Sequence, residues 1–108
     1  MSLLKYPQDV SAHLIVLGRR IRTARSRRRW SQQDLAGRIG VERRSVARLE
    51  EGDGGVGIGI FFTALWVLGL WDTVNDIAAP ELDKAGNFLE KQRQPRRIHS
   101  ERMKDLDF

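Results

Sequence analysis

Between Gln32 and Glu51 the chain, QQDLAGRIGVERRSVARLEE, spaces its apolar residues for two short helices joined by a sharp turn. Leu35 and Ile39 are one helical step apart, as are Val46 and Leu49, so each pair lies on one face. Val41 leads into the second run, and Ala36 is small where two helices have to approach closely. Gly40 stands between the runs, where a reversing chain needs a positive φ that a Cβ would oppose. Ser31 precedes the first run and Asp34 follows three residues later, the pattern of a capping box. This is helix-turn-helix spacing. It predicts an all-α fold: a compact helical bundle with a helix-turn-helix, an extra C-terminal helix and a polar tail.

The second helix opens on Glu42, Arg43, Arg44 and Ser45, with Arg48 one turn later. A helix docked end-on in a major groove shows its first turn to base edges, and arginine there can grip guanine O6 and N7 with two hydrogen bonds. Charged residues on a helix are most often only a solvated face. Here the hydrophobic spacing and the basic first turn agree independently, so Arg43, Arg44, Ser45 and Arg48 are the expected base-reading residues. The charge distribution points the same way. Residues 1–50 carry twelve Lys and Arg against four Asp and Glu, whereas residues 51–108 carry seven against ten. A basic half coinciding with the helix-turn-helix is what a phosphate-binding surface requires.

Trp30-Ser31-Gln32 before this stretch and Leu49-Glu50-Glu51-Gly52 after it resemble the lambda-repressor-like (XRE/Cro) helix-turn-helix family, over about residues 14–71. Within that family the chain is most similar to HipB-type antitoxins, through the Gly-rich GDGGVGIG, the LWVLGLWD run and the ending DLDF. The resemblance implies a two-fold dimer on a palindromic double-stranded DNA operator, and a HipA-like serine/threonine kinase toxin as partner. It implies that Arg25 and Glu50 form a largely buried ion pair tying the first helix to the second helix of the motif. It also implies that the helix capped by Ser31 points its N-terminus at a phosphate. Ser31, Gln32, Arg22, Arg27 and Arg28 are accordingly the expected phosphate contacts. Many relatives carry Lys or Arg in the loop after the motif; this chain carries none there.

Upstream, Pro7 predicts an extended arm leading into a helix capped near Asp9 or Ser11. Val10, Leu14, Leu17, Ile21 and Ala24 form its core-facing stripe. Arg19, Arg20, Arg22 and Arg25 lie opposite, leading into Arg27-Arg28-Arg29. Trp30 reads as a core plug under the next helix rather than a base-stacking group. Gly52–Gly59 fits no phosphate-loop pattern, because no Lys-Ser/Thr follows and no strand precedes it; it reads as a flexible connection. The apolar run Val56–Trp71 is too short and too broken by glycine for a membrane span. It predicts a buried helix from about Ile58 to Leu68, ended by Gly69. Its surplus of apolar sides predicts a second contact surface at Phe61, Phe62 and Trp66. Asp72 is expected to cap a short helix through Ile77. Pro80 opens another, with Leu82, Ala85, Phe88, Leu89 and Gln92 on one face and Pro95 as its stop. Leu82, Phe88 and Leu89 join the expected dimer or partner surface.

The expected organisation is a helix-turn-helix domain over residues 1–78, a C-terminal helix over 79–94 and a flexible tail over 95–108. That tail is either disordered or ordered on a partner through Ile98, Met103, Leu106 and Phe108. Without cysteine the chain has neither disulfides nor thiolate metal sites. His13 and His99 have no acidic cluster beside them, so no metal, cofactor or catalytic constellation is expected. No leader pattern precedes the domain, and a cytoplasmic, nucleoid-associated protein with no membrane contact is expected. Besides the antitoxin, two readings are open: a stand-alone XRE-type or phage-type repressor, and a protein-interaction adaptor.

Overall fold

The computed structural model describes residues 6–93, whose regular elements are all helices, with no strand among them. They fall in two compact units, one ending at Val74 and the other beginning at Asn75. The flexible tail expected over 95–108 lies outside the described residues.

In the first unit, α1 is Gln8–Arg27, α2 Gln32–Ile39, α3 Arg43–Glu50 and α4 Ile58–Val67. The apolar stripes meet as their spacing requires. Ile21, Leu35, Val46 and Leu68 are the largest fully buried side chains, joined by Ala24, Ala36, Leu49, Ala64 and Leu65. Trp30 packs against this core beneath α2, and the Arg38 guanidinium lies 3.9 Å from its ring centroid. The stripe on α1 is shorter than expected: Val10, in the first turn, is 44% exposed. The helix starts at Gln8 behind Pro7, and neither Asp9 nor Ser11 caps it.

The turns follow their local chemistry. Ser31 and Asp34 close the capping box, with Asp34 N donating to Ser31 Oγ at 2.9 Å and Ser31 N to Asp34 Oδ2 at 2.8 Å. Gly40 takes the left-handed conformation, φ 91°, that ends α2 and turns the chain into α3. At the end of α4, Gly69 adopts φ 76° while Leu70 N donates back to Leu65 O. Arg28 crosses to the same end and donates to Ala24 O and Leu68 O, bracing α1 against α4.

The capping box makes an acid-side prediction. The Ser31 backbone N–H and hydroxyl hold the Asp34 carboxyl below its ordinary 3.8. A depressed folded pKa means that the capping contribution is complete above that ordinary value and is lost as pH falls through the lower one. Asp34→Ala, which removes the carboxylate and keeps the Ser31 donors, should therefore lower the melting midpoint at neutral pH. The gap to wild type should close in melts carried down to strongly acid solution. A gap that stayed constant with pH would rule the carboxylate out of the cap.

The apolar segment after Val56 corrects one expectation, the short helix after Asp72. Phe61 and Phe62 are half-buried against the core of their own unit, so much of their surface is already used. Ile58 and Trp66 face outward, 72% and 67% exposed. The short helix expected from Asp72 to Ile77 is a 3-10 turn over Trp71–Val74 only, and Trp71 stands edge-on to Phe62 at 5.8 Å.

In the second unit the helix expected from Pro80 is interrupted. Pro80 opens a 3-10 turn, Pro80–Leu82, and α5 (Lys84–Arg93) begins after Asp83. Asp83 Oδ1 accepts from Gly86 N at 2.8 Å, the work of an N-cap, so the Asp-x-x-Gly pattern marked this restart. Leu82, Phe88 and Leu89 are all more than half exposed.

Candidate nucleic-acid interface

Two faces of α3 have opposite fates. Val46, Leu49 and Glu50 point inward and are buried, whereas Arg43, Arg44 and Arg48 are exposed and Ser45 sits at the border. Burial of the inner stripe fixes the helix's rotation, and with it the direction of the outer arginines. Arg44 and Arg48 are four residues apart and project from one side.

Glu50 anchors the inner face. Its Oε2 accepts from Arg25 Nε at 2.6 Å and its Oε1 from Arg25 Nη2 at 3.0 Å. The Arg25 and Glu50 side chains are only 12% and 3% exposed. Arg25 also donates to Trp30 O at 2.8 Å, so one guanidinium ties α1, the turn before α2 and the end of α3 together. The hydrogen bonds and charge of Glu50 raise the Arg25 pKa against the opposing effect of burial.

Gln32 extends this network outward. Its Nε2 donates to Glu50 Oε1 at 3.1 Å, and its Oε1 accepts from Arg43 Nη1 at 3.0 Å. The first residue of α2 therefore holds the first residue of α3. Arg43 keeps its remaining donors for a ligand, and Gln32 is committed on both sides of its amide.

Ser31, Arg22, Arg27 and Arg28 are all exposed around the N-terminus of α2 and the end of α1. Ser31 Oγ accepts from Asp34 N and can still donate its own proton outward. The Asp34 carboxylate occupies the same helix end, so an anion approaching there meets a like charge beside the helix dipole. Among the described residues the Arg22 and Arg27 side chains make no hydrogen bond or ion pair, whereas Arg28 uses two of its N–H groups on Ala24 O and Leu68 O.

Arg48 is not free. Its Nε donates to Asp53 Oδ2 at 2.8 Å, from the glycine-rich loop that follows α3. That loop is packed down: a Cβ on Gly52 would come within 2.8 Å of Ile15 Cα, and one on Gly54 within 2.7 Å of the Tyr6 hydroxyl. Gly52 serves close backbone approach to α1, whereas a Cβ on Gly57 would meet nothing within 4 Å. Asp53 carried no motif, and its role became visible only once the loop folded back under α3.

An all-helical unit with a glycine-turned helix pair and an outward arginine face defines a helix-turn-helix module. Residues 16–61 match the model of a family described as a helix-turn-helix domain, of XRE-like type. The match spans α1 from Val16, the whole of α2 and α3, and the opening of α4. The module points to a DNA-binding transcriptional regulator, a class whose members are typically not enzymes. Neither the curated proteins nor the solved structures gave a significant match. Among the described residues no helix is long and apolar enough to cross a membrane, and no group of His, Asp and Glu is placed to hold a metal ion.

Proposed function

We propose that this chain is an operator-binding repressor that reads a palindromic duplex as a two-fold dimer, α3 of each copy lying in a major groove. The observation that carries the reading is the clamped α3. Its buried face is locked by the Arg25–Glu50 pair, and Gln32 holds Arg43 at the helix's first turn. Three arginines on a helix that cannot rotate suit base recognition better than a solvated face. Arg43, Arg44, Ser45 and Arg48 read bases, while Ser31, Gln32, Arg22, Arg27 and the outer donors of Arg28 fix the register on phosphate.

Two-fold symmetry would set a pair of α3 helices about 34 Å apart, in successive major grooves. The exposed Trp66 on the first unit and, separately, Leu82, Phe88 and Leu89 on the second each supply apolar surface for a second copy or another protein. The role as antitoxin of a HipA-like serine/threonine kinase is supported by the resemblance of the glycine-rich stretch, the LWVLGLWD run and the DLDF ending. A kinase-like reading frame beside this gene would favour that role, and its absence would favour a stand-alone repressor.

Fluorescence anisotropy tests the base-reading assignment. Arg43→Ala or Arg44→Ala should cost about 1–3 kcal/mol on the preferred duplex and relax preference at one base pair. Arg27→Ala should weaken preferred and scrambled duplexes alike. If both α3 substitutions left the ratio between the two duplexes unchanged, α3 would not be the reading helix. Light scattering on the full chain tests the dimer: a monomer mass at the concentrations that saturate DNA would dismiss it.

A further inference from the structure

We propose that Asp53 is a positioning residue for base recognition: it grips the inner edge of Arg48 so that the outer edge faces a guanine. The inference rests on the base-reading role of α3 set out above. A guanidinium offers its donors along distinct edges. Asp53 Oδ2 takes Nε at 2.8 Å, which leaves Nη1 and Nη2 without a hydrogen bond among the described residues, Nη2 lying beside Gly55. Two parallel N–H groups from these nitrogens are what guanine O6 and N7 accept.

The carboxylate is itself fixed. Its Oδ1 accepts from Gly55 N at 2.7 Å, and Asp53 N donates to Arg48 O at 3.0 Å. The loop therefore closes on α3 through the same residue whose side chain it steers. A Cβ on Gly55 would sit tight against Asp53 Oδ1 at 3.1 Å and Arg48 Nη2 at 3.2 Å, so both side chains would have to give by a few tenths of an ångström. The Asp53 side chain is 17% exposed and the Arg48 side chain 44%, so the acid lies behind and the base in front.

The consequence is selectivity rather than raw affinity. An unrestrained arginine swings to the nearest phosphate, where it gains affinity for every sequence. A carboxylate behind it removes that freedom and repels the phosphate alternative, a penalty on the wrong contact. Holding the side chain beforehand also lowers the ordering cost when the right contact forms.

The test uses the full chain and a duplex library randomised over about two helical turns, roughly 20 base pairs, the span of two successive half-sites. The enriched duplex is then varied one base pair at a time. Arg48→Ala should lose preference at one G·C pair by about five- to a hundredfold. Asp53→Asn and Asp53→Ala should relax the same pair, bind a scrambled duplex more tightly, and steepen the salt dependence by about one phosphate contact. Added to Arg48→Ala, neither should change base preference further, which a merely structural role for Asp53 would not predict. Single Asp53 variants that keep the preference, or that weaken every duplex equally, would overturn the inference while leaving the reading by Arg43 and Arg44 intact. If no duplex were enriched over scrambled DNA by the wild-type chain, base reading by α3 and this inference would fall together.

Discussion

Arg25→Ala is expected to be among the most damaging single substitutions in the chain, lowering stability by about 3–5 kcal/mol. The loss exceeds that of one surface ion pair, which is under about 1 kcal/mol, because of what remains. Glu50 is 3% exposed and would be left with the Gln32 amide as its remaining side-chain partner among the described residues. Arg25 also holds Trp30 O, so the turn before α2 loses a partner too. For a domain of this size each kcal/mol moves the melting midpoint by about 4–8 °C. Removing the acid instead should cost less. Glu50→Gln keeps an acceptor for Arg25, and the arginine lies closer to solvent than its partner. The raised Arg25 pKa sets the pH window. Because its folded pKa is raised, the arginine's side of this contribution is lost only in strong alkali. Melts of both variants decide it: a midpoint for Arg25→Ala within a few degrees of wild type would mean that water shields the pair.

Gly18→Ala should be the second large effect, and its direction runs against helix propensity. A Cβ at Gly18 would sit 2.5 Å from Glu50 O, 2.7 Å from Leu49 O and 2.8 Å from Glu50 C. All three are backbone atoms at the end of α3 and cannot swing aside as a side chain could. Accommodation requires α1 and α3 to separate, a cost of about 1–3 kcal/mol for an added methyl in a packed site. A valine there should prevent the crossing altogether. Gly37, in α2, is the control, since a Cβ there meets nothing within 4 Å. Gly37→Ala should gain about 0.5–1 kcal/mol from the helix propensity of alanine. Thermal melts separate the two positions. If Gly18→Ala raised the midpoint as Gly37→Ala does, the close crossing of α1 over α3 would be refuted. The damage should reach DNA binding too, because displacing the end of α3 moves Glu50 and everything it clamps.

Local patterns carried the helix pair, its glycine turn and its cap. Leu35, Ile39, Val46 and Leu49 need only helical periodicity to declare a face, and Ser31 with Asp34 needs only the next turn of the same helix. The run from Pro80 was less legible, because proline marked the first turn while Asp83 restarted the helix three residues later. Distinguishing one helix from two depends on a single ψ at Asp83, which composition does not encode. Periodicity also carries the α1 stripe to Val10, which is exposed. Periodicity identifies a face but not how far along it a neighbour reaches.

What the residues settled by themselves is therefore short-range: an all-α chain, a helix-turn-helix, and an arginine-rich first turn on its second helix. Backbone hydrogen bonding and side-chain period decide these within a few residues of each position. The tertiary structure alone decided which polar groups meet. Gly18 is an unremarked glycine in a helix until α3 crosses it, and Asp53 is one acid in a glycine-rich stretch until the loop folds back onto Arg48. Gln32 links Arg43 to the Arg25–Glu50 pair only because three helices converge there. Contacts of this kind join residues between 5 and 25 positions apart. They form only after apolar burial has fixed the helix crossings, so no local pattern could announce them.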